Sequence, residues 1–241
     1  MAIELPSEVV TFLQMIGVNW PNVNEDKVRE FGQHVREFAD NVSGTHSDAT
    51  STVTQLGQAY QGASYEAMFA KWGQMSSTHM TELVDICNVV ATALDVGADV
   101  IVGMKGVAIT ELIGLAASFI ADQAAAIATF GIAEAAEALI VKLAEELMDY
   151  LEQQLTQYVI GQIIEAAITP LVGVVEKAVN GMVYSAVESA LGVSGSGGAG
   201  SGVQVAPADA LTHAQAMHGH AETIAGHAQT FTSNLAGLSF E

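Results

Sequence analysis

The sequence predicts an all-α protein, and three observations carry that expectation. Apolar residues recur at alternating three- and four-residue steps over long stretches. Helix formers such as Ala, Leu, Glu, Gln and Met dominate, while strand signals are nearly absent. Glycine and four prolines act as punctuation between the periodic runs. The expected architecture is an elongated antiparallel helical hairpin extended into a helical bundle, with a C-terminal amphipathic helix after a Gly/Ser linker.

The first element is a short helix from Pro6-Ser7-Glu8 to Ile16, with Ser7 as its cap and Gly17 as its stop. Trp20-Pro21 then fixes an extended segment, because the residue before proline is pushed away from helical dihedrals. Asn24 is the expected N-cap of the next helix, and Glu25 and Asp26 fall in its first turn, where carboxylates favour the positive end of the helix dipole. Its stripe runs through Val28, Phe31, Val35, Phe38, Val42, Thr45, Ala49, Thr52, Leu56 and Ala59. Tyr60-Gln61-Gly62 is the expected turn. A second stripe follows through Tyr65, Phe69, Trp72, Met75, His79, Leu83, Ile86, Val90, Leu94, Gly97, Ile101 and Met104. Neither helix hides its stripe alone, so the two are expected to pair, each arm roughly 50 to 60 Å long at about 1.5 Å per residue.

Gly103 and Gly106 then permit a kink or turn before a third long helix, about Val107 to Thr129. A fourth is expected from about Ala133 to Ile168, broken or bent by Pro170, and a fifth from about Leu171 to Leu191. Ser194 to Gly202 is a flexible linker by composition. The last helix, about Pro207 to Leu235, carries Met217, Ile224, Phe231 and Leu238 at seven-residue intervals. Such a seam needs a partner, either the body of the chain or another molecule. Docking on the body is favoured, because a lone amphipathic helix of this length is marginal in water. The expected organisation is thus a short helix and lead-in segment over 1–23, a hairpin over 24–104, an apolar helical extension over 105–192, a linker over 193–206 and an amphipathic helix over 207–241.

Composition narrows the function. Among 241 residues, 27 acidic side chains face 7 basic ones, a formal charge of −20. Nucleic acid binding by counterion release is excluded, anionic membranes repel such a surface, and a basic partner suits it. Cys87 is the single cysteine, so no intrachain disulfide forms, and its place near the buried face of the second stripe reads as a small core residue. The N-terminus has neither a basic region nor an apolar core, so it does not read as a cleaved secretory signal.

No catalytic, cofactor-binding or metal-binding constellation emerges. The glycine run at 195–202 lacks a following Lys-Ser/Thr, and no nucleophile elbow or HExxH helix is present. His213, His220 and His227 recur every seven residues, about 10 Å apart on a helix, too far to share one ion. They read either as a polar flank of the seam or as a pH-sensitive docking edge. Leu112 to Ala133 holds Asp122 as its only charge, so a membrane span has to be weighed; the central carboxylate brings insertion near break-even, and a buried helix in a soluble bundle is favoured.

The layout helix, aromatic-x-Gly turn, helix resembles the WXG-type hairpin of small type VII (ESX) secretion substrates. Tyr60 stands where that family has Trp, Gly62 matches its Gly, and Ala63, Ser64, Tyr65 and Ala67 through Trp72 follow its small-then-aromatic pattern. The stretch from Ile16 to Lys27 resembles the start of the longer WXG-like N-terminal domain of actinobacterial polymorphic toxins, the CpnT-like kind, and similarity of pattern continues to about Leu191. Tyr184-Ser185-Ala186-Val187-Glu188 matches the Tyr-x-x-x-Asp/Glu export signal of type VII substrates, some eighty residues after Met104 rather than directly after the hairpin. The resemblance implies a non-enzymatic secretion and delivery leader, cytoplasmic before export and secreted without a cleaved signal peptide. Recognition is expected at Tyr60, Gly62 and Trp72, with Tyr184 and Glu188 as a second element. The implied partners are a WXG-type helical protein or the type VII machinery, with self-association left open and a membrane not favoured. In the longer relatives a toxin domain follows, and Phe240-Glu241 is where such an effector would begin. Two alternatives stand beside this reading: a membrane-active translocation domain using Leu112 to Ala133 and Tyr158 to Val175, and a partner-binding helical scaffold.

Overall fold

Helix α1 (Ser7–Ile16) begins at Pro6, whose φ of −55° is preset and whose carbonyl accepts the N–H groups of Val9 and Val10, both at 3.0 Å. Pro6 rather than Ser7 is therefore the cap. Ser7 is already helical, and its hydroxyl donates to Glu8 instead of to the helix end. Gly17 closes the helix in the left-handed region at φ 73°, where the lack of a Cβ removes the steric penalty.

The computed structural model describes residues 3–21, 23–129, 133–169, 171–173, 175 and 204–238. Over them the chain is all-α, with one two-residue strand pair. The elements after α1 are α2 (Glu25–Ala59), β1 (Tyr60–Gln61), α3 (Ala63–Met75), a π-helical segment (Ser76–Met80), α4 (Thr81–Thr129), α5 (Ala133–Tyr158), a second π-helical segment (Val159–Ile168), β2 (Gln204–Val205) and α6 (Pro207–Ala236). Asn24 caps α2 as expected, its Oδ1 accepting the N–H groups of Asp26 at 3.0 Å and Lys27 at 3.2 Å.

Two helix boundaries differ from the sequence expectation. Gly103 and Gly106 do not break the chain; α4 runs through them without interruption. A glycine costs an interior helix only about 1 kcal/mol. Here Ile101, Lys105 and Ala108 stay buried on one continuous stripe, which outweighs it. The helix expected to reach Ile168 changes to π-helical winding at Val159. The expected fifth helix over 171–191 and the Ser194 to Gly202 linker lie almost wholly outside the described residues.

Two compact units share the described chain, the first drawn from 1–30 and 93–167, the second from 31–92 and 168–238. In the first, α1 sets Phe12 against Phe119 of α4, with ring centroids 5.3 Å apart. Leu94, Ala98, Ile101, Lys105, Ala108, Leu112, Ala116 and Phe119 form the buried stripe of α4, and Ile140, Ala144, Met148, Leu151 and Leu155 that of α5. Gly97 lets the second π-helical segment come close: a Cβ there would stand 3.4 Å from Ile163 Cδ1. The N-terminal end of α2 is tied to α4 by ions. Glu25 is fully buried, and its carboxylate accepts from Lys105 Nζ at 2.6 Å and from the Ile3 N–H at 2.5 Å. Lys105 also donates to the Val23 carbonyl. Burial opposes the ionisation of Glu25, but the hydrogen bond from Lys105 and the backbone N–H donors override it and hold the carboxyl below its usual value. Arg29 meets Asp99 at 2.8 Å, so the two helices run antiparallel here.

In the second unit the antiparallel sense is the same, with Val53 opposite Tyr65 and His46 opposite Ser76. Phe31, Val35, Phe38, Val42, Thr45, Ala49 and Ala59 of α2 are buried as their spacing predicts, with Ala39 and Val53 beside them. The second stripe is buried only in part. Nothing in α3 is buried, and Phe69 stays 43% exposed. Leu83, Val90, Leu94, Gly97 and Ile101 are buried as their spacing predicts, whereas Met80 rather than His79, beside the π-helical segment, and Cys87 rather than Ile86 reach the core. Burial pushes the Cys87 thiol up to about 11, which suits a core residue rather than a nucleophile.

Candidate functional site

The bend between α2 and α3 is built on one glycine. Gly62 has φ 134° and ψ 174°, a conformation L side chains rarely adopt, and its carbonyl accepts the Glu66 N–H at the start of α3. Tyr60 and Gly62, both half-buried, are held together by this geometry. The bend is not a free turn. Tyr60 and Gln61 pair antiparallel with Val205 and Gln204, and the Ala206 N–H donates to the Ala59 carbonyl at 2.7 Å. No local signal in the sequence marks that pairing, because the two strands lie more than 140 positions apart.

From the bend an aromatic row climbs α3. Tyr60 meets Tyr65 edge-on at 6.4 Å, and Tyr65 meets Phe69 at 5.9 Å. Tyr65 lies across Gly57, where an added Cβ would stand 2.5 Å from its hydroxyl oxygen, and donates to the Val53 carbonyl at 3.1 Å. Gly57 was therefore a readable signal: a glycine inside a long helix opposite an aromatic residue.

Trp72 stands apart from the bend, about 15 Å along α3 at 1.5 Å per residue. It faces α2. Its indole N–H donates to Thr50 Oγ1 at 3.0 Å, and its ring lies parallel to His46 with centroids 5.1 Å apart. His46 Nε2 is 2.6 Å from Ser76 Oγ, and Thr50 donates onward to the His46 carbonyl. Burial pushes His46 below its usual value of 6.5. The structure thus brings Tyr60 and Gly62 together and places Trp72 in a separate polar cluster with His46, a residue the sequence reading did not single out. Tyr184 and Glu188 lie outside the described residues.

The C-terminal helix docks on α2, as its seam suggested. Phe231 stacks between Phe31 and Phe38, at 6.4 and 4.9 Å, and Ile224 is buried one heptad earlier. The seven-residue histidines match seven-residue threonines: His220 Nε2 is 3.1 Å from Thr52 Oγ1, and His227 Nε2 is 3.1 Å from Thr45 Oγ1. Each threonine has already given its only hydroxyl proton to a carbonyl four residues back, of Asp48 and of Asn41. Each histidine must therefore donate through Nε2–H, a role the imidazole keeps whether or not Nδ1 takes a second proton. Protonation at Nδ1 would add charge to the seam without removing these two bonds.

Taken together, the fold and the bend define a helical-hairpin protein whose arms turn at an aromatic-x-Gly step. The WXG100 like domain family matches residues 2–147, more than half of the chain, and the chain belongs to that family. Membership associates it with the helical proteins of type VII secretion. No curated protein and no solved structure matches the chain.

Proposed function

We propose that this chain is a non-enzymatic type VII secretion and delivery leader, recognised through its helical hairpin, of the kind that precedes toxin domains in polymorphic toxins. The observation that carries this reading is the bend itself. An antiparallel helix pair turns at a glycine with φ 134°, within a chain that belongs to the WXG100-like family. The surface read by the secretion machinery comprises Tyr60 and Gly62 at the bend and Trp72 on α3, with Tyr184 and Glu188 as a second element. WXG100-like domains commonly pair with WXG partners, and such a helical partner would dock on the hairpin beside its bend. The charge of −20 favours a partner with basic flanks. Before export the chain is cytoplasmic; afterwards it is outside the cell with no signal peptide removed.

The test is secretion of the chain from a type VII-competent host. With Tyr60→Ala and Gly62→Ala together, the protein is expected to stay in the cell while its circular dichroism remains helical. Secretion at the wild-type level would refute the reading.

A second reading draws on one specific observation. Thr81–Asp122 is a helical stretch long and apolar enough to cross a membrane, and only 28% of its most apolar window is buried. Val89, Val96, Val107, Ile113 and Ile120 along it are exposed. A membrane-active domain would release dye from liposomes, whereas a leader would not. Leakage that grows with protein concentration would favour this second reading.

A further inference from the structure

The C-terminal helix binds α2 by a pattern that is regular and yet thin. Regularity shows in the register. Thr45 faces His227 and Thr52 faces His220, so one heptad of α2 is matched to one heptad of α6 in the opposite direction, and Phe231 sits about one further turn toward Phe38. Thinness shows in burial. Of the thirty residues of α6, only Ile224 and Phe231 are buried. The strand ahead of it is two residues long, and Val205 is 44% exposed. An isolated amphipathic helix is marginal in water, so α6 depends on this docking for its order.

We propose that Gln204–Leu238 is a displaceable clasp that occupies, within the same chain, the face of α2 and the backbone of the bend on which an amphipathic partner helix docks. The chemistry of that partner follows from what the face offers. Phe31 and Phe38 present an aromatic slot for one large apolar side chain. Thr45 and Thr52, their protons committed, present two acceptors one heptad apart. The matching helix runs antiparallel to α2, carries apolar residues at seven-residue spacing and places an N–H donor, His, Lys or Arg, opposite each threonine. An extended segment before it pairs with Tyr60 and Gln61. Only the identification of the displacing molecule as a secretion partner rests on the proposed function; the clasp itself does not.

The thermodynamics set the test. A helix tethered to its own site competes at an effective concentration that reaches the millimolar range for short flexible linkers, and a second ligand sees its affinity reduced by the fraction of chains with the site open. Weakening the clasp therefore strengthens binding of a competitor without touching the α2 face. The probe is a fluorescent peptide of residues 204–238, titrated into the full chain. Binding to the Ile224→Ala, Phe231→Ala variant is expected to be at least tenfold tighter than to wild type, and a peptide carrying Phe231→Ala should not bind. Equal affinity for wild type and variant, whether weak or tight, overturns the proposal. If that variant loses helical content, His220→Ala with His227→Ala keeps both apolar side chains and is expected to gain about threefold; no gain overturns the proposal as well. The measurement reads no secretion, so a leader that fails to export leaves its outcome standing.

Discussion

Trp72 lies flat against His46, the two ring planes 14° apart and their centroids separated by 5.1 Å. The imidazole is half-buried, hydrogen-bonded to Ser76 and disfavoured as a cation by that burial. Because the folded state holds His46 below 6.5, its contribution to stability is complete above that pH and is lost as pH falls through the lowered folded value. Urea unfolding followed by tryptophan fluorescence is expected to give a lower midpoint at pH 5.5 than at pH 7.5. The decisive comparison is His46→Phe, which keeps a ring on Trp72 and is expected to flatten the dependence.

Lys105 and Glu25 form a buried pair, and breaking one side strands the other. Lys105→Met is expected to destabilise the chain by about 3–5 kcal/mol at pH 7, since it leaves an uncompensated carboxylate. Adding Glu25→Gln should recover much of that loss. The sign with pH is opposite in origin but the same in direction: Glu25 is held below 4.5, so its stabilisation is present above that pH and disappears on acidification through the lowered value. Chemical denaturation of the wild type and the two variants between pH 3 and 7 checks both statements.

Gly57 and Tyr65 are expected to behave non-additively. Alanine is a better helix former than glycine by about 1 kcal/mol. Gly57→Ala should nevertheless destabilise, because the new methyl displaces the Tyr65 ring and its bond to Val53. Tyr65→Phe should cost about 0.5–1.5 kcal/mol. In a Tyr65→Ala background Gly57→Ala should become stabilising. A double-mutant cycle measures the coupling directly.

The histidine seam has a spectroscopic signature. His220 and His227 are expected to carry their proton on Nε2 at neutral pH, because the threonines opposite them can only accept. Long-range ¹H–¹⁵N correlation spectra distinguish the tautomers, and an Nδ1–H population at either residue would contradict the assigned hydrogen-bond direction.

Much of the fold was legible because it follows from period. The α2 stripe from Val28 to Ala59, the Asn24 cap, the Gly17 stop and the extent of α6 all emerge from spacing and end residues. Where the reading failed, a tertiary effect had overruled a local one. Gly103 and Gly106 read as a break, yet the stripe through Ile101, Lys105 and Ala108 holds α4 together. The second stripe holds at Leu83, Val90, Leu94, Gly97 and Ile101 but loses His79, Ile86 and Met104, and the π-helical winding beside His79 leaves no mark in a heptad count. Of the candidate site, the bend glycine was legible, since only its type suits φ 134°. His46 beneath Trp72 and Val205 beside Tyr60 were not, because each contact joins residues that share no local pattern.

Under the proposed function the secretion machinery reads the conformation at Gly62, and two alanine substitutions separate that from a general effect of losing glycine. Gly73 lies exposed in α3 with nothing within 4 Å of an added Cβ, so Gly73→Ala leaves the hairpin as it is. Gly62→Ala forces a side chain into a positive φ. The decisive quantity is the ratio of secreted to cell-retained protein for the two variants side by side. It is expected to fall at least tenfold for Gly62→Ala and to stay at the wild-type value for Gly73→Ala; equal secretion of both would contradict the claim.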